Sequence, residues 1–363
     1  MRRLFRLMQL SSLIVILSIV VSCRRTDDNG NKGGEQTPDI EAKAEWYAAG
    51  MSYNAETDTT AATIWKEEEV LYTHSEPNSF SIALGVCVDG EDIYSCGYIE
   101  SDRGDANVIW KNGEVLLSVS MDETVLSGNI LDGFIDIAVV GGDVYALANL
   151  HKRSDTGIYD YQPVLYKNGT PSLLDTNNKD IEVLSIEASG SDLYAIGSIY
   201  LNDEFIPAVW KNGVATHLEK PEWSYGGTAY SLTVQGSDVY VVGEVYPWVL
   251  DVALPCIWKN GEAQTLSAST TVDTIATDMI IKYKQPQICG TASGVNDEFA
   301  CVWENGKQKI LGAGTATGIV NTKEGLVVVG CSYSDAEDLP MATVWKNGKE
   351  EHLGYGMIVR LCR

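Results

Sequence analysis

Cysteine, histidine and paired carboxylates are the residue types with which this 363-residue chain could do chemistry, and their spacing points to very little of it. Cys256 and Cys301 each stand two residues before a recurring tryptophan, and Cys96 and Cys289 each precede a recurring glycine, where other copies carry small apolar residues. This is the usage of core fillers, with Cys289 and Cys301 as the one pair placed for a disulfide test. The four histidines are far apart: His74, His217 and His352 fall at or near the ends of outer strands, and His151 in a loop beside Lys152 and Arg153. No cysteine or histidine spacing suits zinc, and no Gly-x-Ser-x-Gly elbow is present, so no metal, cofactor or catalytic residue is expected. Ser154-Asp155-Thr156-Gly157 is a turn and not a repeated Asp box, and Arg103-Gly104-Asp105 is a loop tripeptide. Asn202-Asp203-Glu204-Phe205 recurs as Asn296-Asp297-Glu298-Phe299. Paired carboxylates cleave glycosides only when they oppose each other across one bond, and these two segments belong to different repeats, as solvated loop tips or weak cation sites would.

Aromatic residues carry the stronger signal. Of nine tryptophans, six belong to a repeated motif and Trp46 to a strand, which leaves Trp223 and Trp248 outside the repeat. With Tyr225 and Tyr246 they form a candidate ligand-binding edge, since aromatic faces stack on sugars and anchor protein partners. The competing reading folds Trp248, between Pro247 and Val249, inward as a loop plug.

The elements that must position these residues come from the repeat. Apolar-Trp-Lys-Asn-Gly occurs at Ile109 to Gly113, Val209 to Gly213, Ile257 to Gly261 and Val344 to Gly348, with variants at Leu165 to Gly169, Val302 to Gly306 and Ile64 to Lys66. The aromatic anchors at 65, 110, 166, 210, 258, 303 and 345 are spaced by 45, 56, 44, 48, 45 and 42 residues. Asn-Gly suits a type I′ hairpin turn, and an upstream pattern such as Leu232-Thr-Val-Gln-Gly-Ser-Asp-Val-Tyr240 supplies a second hairpin. Four antiparallel strands at this period describe a propeller blade. The expected fold is therefore all-β: a seven-bladed β-propeller over residues 45–363, with Met357 to Leu361 completing the N-terminal blade. Loops joining the first to the second strand and the third to the fourth are short throughout. Length variation falls on the opposite, variable face, where the links holding Trp223 and Trp248 lie.

Val327-Val-Val-Gly330, a polar loop, Ala342-Thr-Val-Trp-Lys-Asn-Gly348 and Leu353-Gly354 resemble the HAF-type repeat of bacterial extracellular proteins, which runs Val-Val-Gly, loop, His-Ala-Phe-x-Trp-x-Asn-Gly, Leu-Gly. Met341-Ala342-Thr343 stands where the name-giving His-Ala-Phe would be. The resemblance implies an exported repeat protein, with no established activity.

At the start of the chain, Arg2, Arg3 and Arg6 precede an apolar run from Leu10 to Val21, too short to span a membrane comfortably. The run ends in Val20-Val21-Ser22-Cys23, which resembles a lipobox, so residues 1–22 read as a lipoprotein signal peptide, Cys23 as the lipidation site and 23–44 as a flexible tether. Asp27-Asp28 resembles a surface-export signal and equally suits a plain linker. Removing the three arginines of the leader takes 26 basic residues to 23 against 50 acidic, a net charge of −27, which excludes nucleic acid as a partner. The expectation is a monomeric propeller in the cell envelope, held at the outer membrane by its N-terminal lipid. It is a non-catalytic binding protein for a glycan or an envelope protein. The alternatives are a glycan-active hydrolase or lyase using loop carboxylates, and a structural subunit of an envelope complex.

Overall fold

A computed structural model describes residues 45–75, 79–121, 130–153, 159–174, 180–202, 204–294, 297–334 and 337–362. The proposed signal peptide, Cys23, the tether and the Ser154 to Gly157 turn lie outside the described residues. Every regular element among those described is a β-strand. β1 (Tyr47–Asn54), β2 (Thr59–Lys66) and β3 (Glu69–His74) come first, followed by the antiparallel unit β4 (Phe80–Asp89), β5 (Asp92–Glu100), β6 (Ala106–Lys111) and β7 (Glu114–Ser120). β8 (Ile130–Leu131) and β9 (Asp136–Val140) share the first position of a unit completed by β10 (Asp143–Arg153), β11 (Tyr159–Lys167) and β12 (Thr170–Leu173). Next are β13 (Asp180–Ser189), β14 (Asp192–Leu201), β15 (Glu204–Lys211) and β16 (Val214–His217), then β17 (Ser224–Gln235), β18 (Asp238–Pro247), β19 (Leu254–Lys259) and β20 (Glu262–Thr265). The last are β21 (Asp273–Lys282), β22 (Gln285–Ser293), β23 (Glu298–Glu304), β24 (Lys307–Thr322), β25 (Gly325–Ser334), β26 (Glu337–Lys346) and β27 (Lys349–Cys362).

Two long strands serve two units each. β24 pairs with β23 up to Ala313 and with β25 from Gly314, and β27 pairs with β26 up to Tyr355 and with β1 from Gly356. Gly314 and Gly356 sit at these changes with φ of 127° and 140°, a conformation that side chains oppose. First strands touch in succession: β4 with β9, β9 with β13, β13 with β17, β17 with β21, β21 with β24, β24 with β27, and β27 with β4. The architecture is a β-propeller.

The repeated motif explains itself in the packing. Trp65, Trp110, Trp210, Trp258, Trp303 and Trp345 are all buried, as is Tyr166. Each packs against the preceding unit as well as its own: Trp210 meets Ile135, Ala138 and Leu147, and Trp258 meets Tyr194, Ile196 and Val209. The anchors are thus the adhesive between sheets that cannot bury both faces alone. Asn112 and Gly113 have φ of 51° and 83°, as a type I′ turn requires, and the other Asn-Gly pairs match. The lysine and asparagine before that glycine tie the two hairpins together. Asn112 Oδ1 accepts the Ile93 N–H at 2.8 Å, its Nδ2 donates to Asp92 at 2.8 Å, and Lys111 pairs with Asp92 at 2.8 Å while lying over the Tyr94 ring. The same set recurs at Asp143/Tyr145/Lys167/Asn168, Asp192/Tyr194/Lys211/Asn212 and Asp238/Tyr240/Lys259/Asn260.

First strands carry β-bulges, for example at Ala83/Gly85, Val183/Ser185, Ala229/Ser231 and Ala276/Asp278. The facing glycine of the second strand has no room for a side chain, since a Cβ at Gly97 would lie 2.0 Å from the Ile82 carbonyl oxygen. Backbone groups that a bulge releases from the ladder need other partners. Neighbouring units supply them: Thr277 Oγ1 donates to the Ala316 carbonyl at 2.7 Å, Thr317 Oγ1 to that of Ile358 at 2.9 Å, and Asp278 accepts the Ile319 N–H at 3.0 Å.

Opposite the residue before each facing position stand Arg360, Gly85, Asp136, Ser185, Ser231, Asp278 and Gly318, one level of side chains around the axis. Arg360 reaches past Gly85 to Asp136, with Nη2 to Oδ2 at 2.8 Å and both residues fully buried. That contact is close enough for an ion pair but is not aligned as a hydrogen bond, and Nε and Nη1 make none among the described residues. Asp136 also accepts the N–H groups of Ile137 and Ile186 at 2.9 and 2.7 Å and the Ser185 hydroxyl at 3.2 Å.

The cysteines behave as fillers: Cys87, Cys96, Cys256, Cys289, Cys301, Cys331 and Cys362 are all buried thiols, and burial pushes those of Cys256 and Cys301 up to about 12. Cys301 faces Gly290 and not Cys289, which puts the two thiols out of register for a bridge. His217 and His352 are exposed. His74 departs from the solvated reading, because its ring stacks on Trp110 at 5.1 Å and burial lowers its pKa.

Candidate functional site

The four expected aromatics meet at the end of the propeller that carries the longer links, between the units β13–β16 and β17–β20. The link after β16 is pinned by a turn in which the Ser224 N–H and hydroxyl both donate to the Pro221 carbonyl at 2.9 Å, with Lys220 Nζ donating to the Ser224 carbonyl at 2.9 Å. This presents Trp223, 42% exposed. The Trp248 N–H donates to the Trp223 carbonyl at 3.0 Å, which brings the end of β18 alongside. Trp248 is 62% exposed, so it is not a plug. Tyr225 is the extra residue of a bulge between Ser224 and Gly226, and its ring lies 5.6 Å from Tyr246, stacked, and 5.3 Å from Trp248.

The row is longer than the sequence suggested. Tyr246 meets Phe205 edge-on at 6.4 Å, and Phe205 meets its cross-strand partner Tyr200 at 5.1 Å. Phe205 and Tyr200 are 42% and 39% exposed. Gly226 permits this junction, because a Cβ there would lie 2.5 Å from the Phe205 carbonyl oxygen. Tyr200, Phe205, Tyr246, Tyr225 and Trp248 therefore form one continuous line of rings across two units. The sequence held a signal for Phe205, the recurrence of Asn-Asp-Glu-Phe, but it drew attention to the carboxylates. Glu204 is paired with Lys220 at 3.5 Å, whereas Glu298 of the second copy faces Tyr333, and Asp203 and Asn296 lie outside the described residues.

Tyr246 is more wall than edge. Its hydroxyl donates to Glu244 Oε1 at 2.8 Å and lies 2.8 Å from Thr228 Oγ1, and Tyr230 donates to the same carboxylate oxygen at 2.5 Å. Burial raises the pKa of Glu244, and burial beside that carboxylate raises both phenols. Glu182 on β13 lies close enough to add to the electrostatic field on Tyr230 and Tyr246. It is part-buried, and burial followed by the charge of Asp132 pushes it from 4.5 up to about 7. Its carboxyl makes no hydrogen bond or ion pair among the described residues. Neither Glu182 nor Glu244 was legible beforehand, since each is a single acid inside an apolar strand. The described residues contain no cluster of three metal-ligating side chains. The arrangement can stack flat ring faces.

No protein-family model and no curated protein matches the chain. Among solved structures it is similar to the β-propeller domain of the Trilobed protease from Pyrococcus furiosus, at 10% identity and a TM-score of 0.44, covering 73% of this chain and 77% of that one. TolB from Acinetobacter baumannii matches at 9% identity and a TM-score of 0.41, over 87% of this chain and 64% of TolB. The GH43 endo-arabinanase from Bacillus licheniformis matches at 10% and 0.34, over 62% of this chain and 95% of that one.

Proposed function

We propose that the chain is a closed seven-bladed propeller of the HAF-type repeat kind that binds a glycan through the aromatic row on its variable face without transforming it. In this reading the second half of β27 is the innermost strand of the first blade, Cys23 carries the lipid that holds the protein at the outer membrane, and the propeller acts as a monomer. The single observation behind the binding role is the continuous line of rings from Tyr200 to Trp248, exposed at Tyr200, Phe205 and Trp248, which the repeat packing does not require. Rings in such a line can stack successive sugars of an extended chain. A hydrolase reading draws on Glu182, whose carboxyl stays protonatable near neutrality, but hydrolysis needs a second carboxylate opposed across one bond. Glu244 instead accepts from two phenols. The test is a glycan binding screen with the full chain and with Trp223→Ala/Trp248→Ala. Loss of binding at unchanged melting temperature supports the site. Glycan binding that survives the double substitution refutes it, and release of shortened glycan refutes the non-catalytic role.

A further inference from the structure

We infer that the propeller docks on the phosphate headgroups of a membrane surface through a basic patch on β21–β25, at the end that bears the Asn-Gly turns, so that the aromatic row at the other end faces away from the membrane. The inference is independent of the glycan-binding reading and draws on the membrane-anchoring one for the side on which the bilayer lies.

The patch departs from the rest of a chain whose net charge is −24. Every lysine from Lys66 to Lys259 whose side chain is described pairs with a carboxylate at 2.7 to 3.5 Å. Lys282, Lys284, Lys307, Lys309 and Lys323 are exposed, and none of them pairs with a carboxylate among the described residues. They occupy or adjoin the turns joining β21 to β22, β23 to β24 and β24 to β25, where the acids are Glu304 and Glu324. The fold does not call for these lysines. In four other units a turn aspartate ties the lysine and asparagine of the second hairpin to the first. Here Gln285 stands in the place of Asp92, Pro286 has no N–H to offer Asn305, and Glu304 replaces the lysine. Tyr283 and Lys284 make the turn with φ of 50° and 62°, and Tyr283 is 70% exposed with Lys282 Nζ 5.8 Å from its ring centre.

The occupant follows from where the chain enters and from charge. Tyr47 opens β1 opposite Lys66 and Cys362, and Glu45 pairs with Lys66 at 3.0 Å. The residues before 45 therefore join the propeller at this same end, on the sheet that also holds β21–β25. A lipid on Cys23 would draw this end toward the bilayer, and not the aromatic row. Phosphate headgroups make that surface anionic, and each lysine close to it strengthens docking about fivefold. Charges farther than about 8 Å from the surface are screened at physiological salt, so the acidic turns of the other units, such as Asp89 to Asp92, oppose docking weakly once the disc tilts onto the patch. The exposed Tyr283 ring, apolar in body and polar at its tip, suits the headgroup level.

The experiment mixes the full lipidated chain with vesicles of phosphatidylcholine alone or with an equal share of phosphatidylglycerol, and follows acetylation lysine by lysine by mass spectrometry. The chain is expected to stay with both kinds of vesicle. On the anionic ones Lys282, Lys284, Lys307, Lys309 and Lys323 should react at least about fivefold more slowly, the scale of one lysine's attraction to the surface, and added salt should abolish the difference. Lys220, in the link that carries Trp223 at the other end, should react alike on both. Lys282→Glu/Lys284→Glu/Lys307→Glu changes exposed side chains only, so it should melt as wild type and stay anchored while Lys309 and Lys323 lose their protection. Equal rates on both vesicles would overturn docking and leave the anchor standing, and protection that survives the triple substitution would overturn the assigned patch. Retention by anionic vesicles alone would support docking and overturn the lipid anchor, and retention by neither would overturn both.

Discussion

Arg360→Met removes the guanidinium that reaches Asp136 across the axis and leaves a similar side-chain volume in its place. Asp136 would keep its two backbone N–H donors and the Ser185 hydroxyl but lose the opposite charge, in a site where both partners are 0 to 1% exposed. Breaking a buried pair from one side costs about 3–5 kcal/mol, because the remaining charge is uncompensated. Equilibrium unfolding in urea reads that loss directly. Arg360→Met/Asp136→Asn removes both charges and keeps an amide that can still accept, so it should recover most of it, and the difference gives the coupling. Acidity supplies an independent check. Burial already raises the Asp136 carboxyl against the opposing pull of Arg360 and of the Ile186 and Ile137 N–H groups, and without Arg360 its folded pKa rises further above the unfolded one. A raised carboxyl contributes stability that is present at low pH and lost as pH rises, so the single variant should regain ground against wild type as the pH falls toward about 4. A single variant within about 1 kcal/mol of wild type at neutral pH, or a double variant no better than the single, would refute the account of this pair.

Deleting residues 357–363 should expose an edge of β1, lower the melting midpoint and promote aggregation, and a truncated chain that stayed monomeric with an unchanged midpoint would contradict ring closure by β27. Trp210→Ala should cost about 3–5 kcal/mol in denaturant unfolding, whereas Trp223→Ala should change stability by less than about 1 kcal/mol. Iodide should quench Trp223 and Trp248 and spare the buried anchors, and equal losses or equal quenching would remove the distinction. Glu182, raised from 4.5 to about 7, contributes stability present below its unfolded value and lost as pH rises through about 7. The chain should thus be about 1–3 kcal/mol more stable near pH 5 than near pH 8 on account of this part-exposed group, and Glu182→Gln should flatten that difference in pH-resolved thermal melts.

The spacing of the aromatic anchors, the Asn-Gly turns and the paired hairpins were legible because each depends on residues within one repeat, where strand alternation and turn chemistry act locally. The candidate site was legible only in part. Trp223, Tyr225, Tyr246 and Trp248 stood out because they lack counterparts in other repeats, and the structure brings them together. Tyr200 and Phe205 did not, because they belong to a different unit and join the row only where Gly226 lets one unit approach the next. The same limit hid Glu182, Glu244 and the stacking of His74 on Trp110, and it hid Arg360, which reads in sequence as one charge in a terminal apolar strand. The period of a strand tells which side of the sheet a residue takes. Which residue of another sheet it then meets is decided by how the units are arranged about the axis, and that arrangement exists only in the folded chain.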